Sequence, residues 1–364
     1  MEKKPEYEKV NKFLKGHKNK TNWIDFALNY ALYVILGLII LGVIIIEPNF
    51  VSIKNFTNIL SQASTRAILA LGVAGLIVLQ GTDLSAGRIL GLSAIVSASL
   101  LQEVSYAARM YPNLPALPLI LPLVVAILIG VLLSLVNGFG VAKLKLHPFI
   151  ITLGTQLIAY GAALIYIDRP PLGAQPIAGL DKRYTDIVKG AFEIKKMGTP
   201  KGGTPEVLFE IPYLILYAAI IAVIMWFIWN KTKLGKNMFA IGGNPEAAAV
   251  SGVSLTKNIL LIYLMAGVLY GVAGYLEAAR IGSATSITGQ NYELDAIAAC
   301  VVGGVSFSGG VGTIPGVLIG AVILQFINYG LQYIGVNPYL QIIIKGLIII
   351  VAVSIDVRKY IVKK

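Results

Sequence analysis

Ten stretches of this chain run apolar with almost no charge, at 26–46, 60–80, 88–102, 117–139, 148–167, 211–229, 258–277, 294–304, 312–335 and 338–355. The first holds 21 residues, enough to cross ~30 Å of hydrocarbon at ~1.5 Å per helical residue. In lipid, backbone N–H and C=O groups find no water, so such a segment must satisfy them within its own helix. The expected fold is therefore all-α, a polytopic transmembrane helical bundle of about ten membrane segments. Composition agrees: 56% of residues are hydrophobic and 13% charged, and the 38 glycines suit helices that pack backbone to backbone. No small-x-small cleavage site precedes Glu47, which favours a retained first span over a signal peptide.

The formal charge of +12 does not point to nucleic acid, because the 30 basic residues sit mostly in tails and in loops between the apolar runs. Residues 1–25 form a basic tail with seven lysines against four acids, and 356–364 form a second basic tail. If both termini are cytoplasmic, 18 basic residues fall inside and 11 outside, so the positive-inside bias favours that orientation for the transmembrane domain at 26–355. It leaves 168–210 as an extracytoplasmic loop and 230–257 as a cytoplasmic one.

Several chemistries are excluded. The sole Gly-Lys, Gly235-Lys236, is followed by Asn237, so no phosphate-binding loop is present, and no HExxH occurs. A single cysteine, Cys300, rules out an intrachain disulfide or thiolate cluster, and His17 and His147 leave almost nothing for zinc. The chain is expected to be no enzyme and to hold no metal or cofactor of its own.

Polar residues at membrane depth then need another reason, since a charge at a helix centre costs ~2.5–3.5 kcal/mol unless it pairs or faces a cavity. Asp83 and Arg88 lie in Gly81-Thr82-Asp83-Leu84-Ser85-Ala86-Gly87-Arg88, between short apolar runs, where a broken helix is expected. Asp83 either shapes a pore or caps the following helix. Asn137 is expected to make an interhelical hydrogen bond, and Lys345, central in its span, to meet an acid, carbonyl or water. Glu277, Arg280, Glu293 and Asp295 crowd one end of the bundle. Segment 294–304 is short for a span and either borrows flanking residues or re-enters. Gly87 with Gly91, Gly267 with Gly271, and Gly312, Gly316 and Gly320 offer bare faces for close helix contact. The runs 67–91 and 296–316, each with a glycine-containing break, hint at an internal repeat.

In the 230–257 loop, Asn244 fits a helix cap, Pro245 the first helical position and Glu246 the positive helix end, with Gly252 as the stop. This predicts a short helix held between two spans.

Glu246-Ala247-Ala248 followed by Gly252 resembles the cytoplasmic coupling loop of bacterial ATP-driven importer permeases. GTDLSAGR at 81–88, FAIGGNPEAA at 239–248 and YELDAIAACVVGGVSFSGGVGT at 292–313 are similar to the sugar permeases of that class, in their galactose/methyl-galactoside branch. The likeness runs from the first span to the C-terminus, and departs at His147, at the long 168–210 loop and in the lysine-rich tail. It implies coupling residues Gly242, Gly243, Asn244, Pro245, Glu246, Ala247, Ala248 and Gly252, and candidate pathway groups among Asp83, Arg88, Asn137, Glu293, Asp295 and Lys345. It implies a bacterial inner-membrane location and, as partners, a second copy of the permease, a cytoplasmic ATPase carrying ATP and Mg, and an extracytoplasmic sugar-binding protein. The implied substrate is galactose or a methyl-galactoside. Ribose, xylose or another monosaccharide is the alternative, and an ion-coupled secondary transporter the competing class.

Overall fold

The computed structural model describes residues 34, 36–168, 173–195 and 207–361. The tail at 1–25, the start of the first apolar segment, 196–206 and 362–364 lie outside the described residues. In chain order come α1 (Leu36–Ile46), a 3-10 turn (Pro48–Phe50), α2 (Ile53–Val78), α3 (Ala86–Leu100), α4 (Ile120–Ala142) and α5 (Pro148–Ile167). Then follow α6 (Lys182–Lys189), strands β1 (Ala191–Lys195) and β2 (Val207–Pro212), α7 (Tyr213–Lys231), α8 (Lys233–Gly243) and α9 (Pro245–Val250). The chain closes with α10 (Leu255–Ile281), α11 (Tyr292–Val302), α12 (Ile314–Tyr333) and α13 (Pro338–Ile361).

Each of the ten expected segments coincides with a helix, but the structure does not show ten full spans. Among the described residues, six helices are long and apolar enough to cross a membrane: α2, α4, α5, α7, α10 and α12. With 11 residues α11 is only ~16 Å long, and α3 with 15 is ~22 Å, both short of the hydrocarbon core. The 168–210 stretch is more than a loop: besides α6 it holds β1 and most of β2, an antiparallel pair in register from Ala191 opposite Pro212 to Ile194 opposite Phe209, after which the register shifts to set Lys195 opposite Val207.

Local chemistry sets the helix ends. The Ser52 hydroxyl accepts the Asn55 amide at 3.2 Å to start α2. His147, where the likeness departs, caps α5: its Nδ1 accepts the Phe149 amide at 3.3 Å, with Pro148 in the first turn. At the far end of α2 the Gln80 amide donates to the Ile77 carbonyl at 2.8 Å and the Gly81 amide to Leu76 at 2.9 Å, a Schellman ending. The end of α11 repeats it, Gly304 donating to Val301 at 2.9 Å and Val305 to Cys300 at 2.8 Å.

Bare backbones hold the centre together. A Cβ placed on Gly267 would fall 2.5 Å from the Gly130 carbonyl oxygen, and one on Gly130 2.1 Å from that of Gly267. One turn further, Gly271 abuts Ala126 and Gly274 abuts Leu90, so α10 lies directly on α4 and α3. Gly316 and Gly320 seat α12 on the Gly303 and Ala299 carbonyls of α11's end in the same way. Large apolar side chains point outward instead: Leu132 is 63% exposed, and Leu128, Leu157 and Ile165 share its situation. That arrangement, small residues inside and bulky apolar ones outside, is what lipid requires.

Gly267→Leu should therefore wedge α10 from α4 and cut membrane abundance several-fold, overpacking a tight seat costing ~1–3 kcal/mol or more. Leu132→Ala, on the outward face, should leave abundance near wild type when membranes are quantified by immunoblot.

Candidate functional site

Between the end of α2 and the start of α3 the chain leaves helical geometry, and this break carries a sealed polar core. Asp83 is 0% exposed. Its Oδ1 accepts the Ser85 amide at 2.9 Å and the Ser85 hydroxyl at 2.5 Å, and its Oδ2 accepts the Tyr270 hydroxyl of α10 at 3.1 Å. The capping reading is met in part: Asp83 holds Ser85, which takes the cap position of α3, and also reaches across to α10. The Asn137 amide of α4 donates to the Ser85 hydroxyl at 2.8 Å, the interhelical bond expected of it. From α5, the Thr152 hydroxyl accepts the Leu84 amide at 3.2 Å. One break is thus fastened to α4, α5 and α10. Ser134 and Thr155 lie one turn deeper on α4 and α5, also buried.

Arg88 turns away from Asp83. Its Nη1 donates to the Ser286 carbonyl at 3.2 Å and its guanidinium sits 4.1 Å from the centre of the Tyr160 ring. Glu293 is buried beside it on α11, where a Cβ on Gly87 would lie 2.1 Å from its Oε2. Gly87 and Gly91 are accordingly seats for the segment after α10, Gly91 facing the Thr288 carbonyl.

A second cluster joins α2, α10, α11 and α13. Asp295 pairs with Arg66 through a short contact to Nη1 and with Lys345 Nζ at 3.0 Å, so Lys345 finds an acid as expected. Glu277, fully buried, accepts two bonds from Arg280, each 2.8 Å, one from the Tyr292 hydroxyl at 2.7 Å and one from Thr65 at 2.7 Å. Arg66 also stacks 3.9 Å over the Tyr292 ring. The crowding of acids was readable in the sequence. Thr65, Arg66 and Tyr292 were not singled out, although a cation inside an apolar helix is itself a signal.

The 230–257 loop forms two helices where one was expected. In α8, the Thr232 hydroxyl accepts the Gly235 amide at 3.3 Å, and the helix runs to Gly243. Asn244 then turns the chain and caps α9, its Oδ1 accepting the Ala247 amide at 2.9 Å, with Pro245 and Glu246 in the first turn. Gly252 closes the unit in a left-handed conformation, φ +83°. Ala248 is the buried residue of α9; Pro245, Glu246, Ala247, Ala249 and Val250 face outward, Val250 being 91% exposed. Gly242 and Gly243 belong to α8, and Gly242 lies so close to α2 that its Cβ would sit 1.8 Å from the Val78 carbonyl.

In the 168–210 stretch, Asp181 caps α6, accepting the Arg183 amide at 2.8 Å, and the Arg183 guanidinium bonded to it holds its carboxyl below the usual range. The buried Tyr184 donates to the Tyr275 carbonyl through a short bond, which fastens α6 to α10.

Interior polar groups, an outward apolar shell and helices broken at a sealed polar core define a polytopic helical membrane protein. The chain belongs to the family described as branched-chain amino acid transport system / permease component, whose profile matches residues 55–353. It is 50% identical over 348 residues to the galactose/methyl galactoside import permease protein of Haemophilus influenzae, covering 95% of this chain and 98% of that one. Its identity with the protein of the same name from Escherichia coli is 50% over 346 residues, 95% of this chain and 99% of that one. The ribose import permease protein of Escherichia coli is 35% identical over 327 residues, 89% of this chain and 93% of that one. No solved structure matches. The family is a permease component, so the chain is a transport subunit of a larger system and not an enzyme.

Because Asp83 and Arg88 hydrogen-bond to different partners, Ser85 and Tyr270 for the one and the Ser286 carbonyl for the other, their effects should add. Membrane abundance and uptake measured for Asp83→Ala, Arg88→Ala and the double variant should give a coupling energy below ~1 kcal/mol. Asp83→Ala, which strips the acceptor from Ser85 and Tyr270, should be the more damaging to abundance.

Proposed function

We propose that this chain is the membrane permease of an ATP-driven importer for galactose and methyl-galactosides. The observation that carries the substrate is the contrast between 50% identity to the galactoside permeases of Haemophilus influenzae and Escherichia coli and 35% to the ribose permease of Escherichia coli, each over most of both chains. The family description mentions branched-chain amino acids, but the likeness to the sugar permeases is the closer-grained of the two.

In this reading the chain crosses the bacterial inner membrane in ten segments, α1, α3, α11 and α13 adding to the six clear spans, with both termini cytoplasmic. The tails at 1–25 and 356–364 and the 230–257 loop face the cytoplasm; 168–210 lies outside and meets a sugar-binding protein. Two copies enclose the pathway. The coupling unit is Gly242, Gly243, Asn244, Pro245, Glu246, Ala247, Ala248 and Gly252, and its support is the outward face of α9, which offers Glu246 and Val250 to a partner ATPase that carries ATP and Mg. A capped, rigid element of this kind passes on a displacement that a flexible loop would absorb.

Among the pathway candidates, Asp83 and Asn137 hold the break, while Asp295 and Lys345 belong to the ion-pair cluster. Arg88 and Glu293, beside Tyr160, remain the groups best suited to meet a sugar. A neutral hexose needs bonds that form and release, so a few partly satisfied polar groups suit it better than a deep charge well.

The test is an uptake panel in vesicles containing the permease, its ATPase and its binding protein. Galactose and methyl-galactoside should enter only with ATP, and Glu246→Lys should lower that uptake by ~10-fold or more while the protein stays in the membrane. Dominant ribose transport would remove the galactoside assignment. Sugar uptake by the chain alone on an ion gradient would remove the ATP-driven reading.

A further inference from the structure

At three helix ends that close with the same Schellman pattern, the residue forced into the left-handed region is glycine: Gly252 after α9, Gly304 after α11 and Gly335 after α12. At the end of α2 the corresponding residue is Gln80, with φ +63°. An L side chain is disfavoured there, so its presence asks what the side chain does. Its amide nitrogen donates to the Gly242 carbonyl of α8 at 2.8 Å and to the Ser308 carbonyl, in the loop after α11, at 3.1 Å. Beside it the Gly310 amide donates to the Val78 carbonyl at 2.9 Å, and a Cβ on Gly309 would meet both the Gln80 side chain and the Gly242 carbonyl at 2.4 Å. Three backbones converge here: the end of α8, the end of α2 and the loop between α11 and α12.

We propose that Gln80 is a positioning residue for transport, tying the α8–α9 unit to both helix breaks so that one displacement moves Asp83's break and the 303–312 loop together. The assignment rests on the coupling role proposed above for α8 and α9. Gln80 touches neither a sugar nor a partner in this account; it acts through Gly242 and Ser308. Two acceptors on different segments, reached by one amide, make the tie a bridge between them rather than a local cap. The glycines at 242, 309 and 310 let the backbones approach closely enough for a glutamine to span them.

Gln80→Gly separates this role from a merely structural one. Glycine relieves the left-handed strain and keeps the helix ending, so a residue that only closed α2 would be replaced without loss. The expected result, in the complete assembly with its ATPase and binding protein, is wild-type membrane abundance, a ~10-fold fall in ATP-dependent uptake and continued ATP hydrolysis. Hydrogen–deuterium exchange on the same purified variant should rise ~10-fold in peptides from both 233–243 and 303–313, with α10 unchanged. Gln80→Glu, which loses both donors and faces two carbonyls with a charge, should be at least as impaired. Wild-type uptake in Gln80→Gly, or unchanged exchange in either segment, overturns the proposal. If the wild-type assembly itself shows no ATP-dependent uptake, the functional reading fails, and the exchange measurement still decides whether Gln80 ties the two segments.

Discussion

In a hydrocarbon surround, apolar side chains gain nothing by leaving lipid for one another, so a bundle must be held by close backbone contact and by polar groups that can meet only inside it. The mutual seat of Gly130 and Gly267 is where that constraint is met most directly. It brings α10 against α4, and Gly274 extends the contact to α3. Only with α10 at that distance can Tyr270 reach Asp83, and only then is the polar break after α2 sealed. The outward Leu and Ile side chains are a consequence of the same rule.

The interior polar groups divide into two sets with different partners. Asp83, Ser85, Asn137 and Thr152 hold an irregular backbone in place, replacing hydrogen bonds that the interrupted helix lost. Arg66, Arg280 and Lys345 pair with the two acids Glu277 and Asp295 across four helices, and Tyr292 is shared between the two acids' neighbourhoods through its hydroxyl and its ring. Such an arrangement suits a protein whose parts must shift without separating: charges that satisfy one another resist exposure, while breaks supply the points of bending.

Much of this was legible because the membrane makes the sequence rules strict. A lysine at the centre of an apolar segment must find a partner, and Lys345 finds Asp295; an asparagine facing the bundle must bond across it, and Asn137 bonds to Ser85. What could not be read is which residue answers: the Tyr270–Asp83 pair is separated by 187 positions and depends on the packing of α10. The helix at α9 was announced by its cap and proline. By contrast α8 carries three glycines, which argue against a helix locally, and it forms because Gly235 and Gly242 must press on the Trp229 and Val78 carbonyls. The number of full spans was not legible for a related reason. Apolar length marks a membrane segment, but α3 and α11 are short helices roofed by protein, and nothing in their composition says where each stops.

The account's central claim is that the α8–α9 unit faces the cytoplasm and takes its motion from a separate ATPase. Val250, 91% exposed at the end of α9, tests it directly, since the native Cys300 is buried and gives little background. In membranes holding the assembled transporter, Val250→Cys should cross-link to the ATPase subunit and should react with a membrane-impermeant maleimide only from the cytoplasmic side. Labelling from the outside of intact cells, or a complete lack of cross-linking in an assembly that transports, would contradict it.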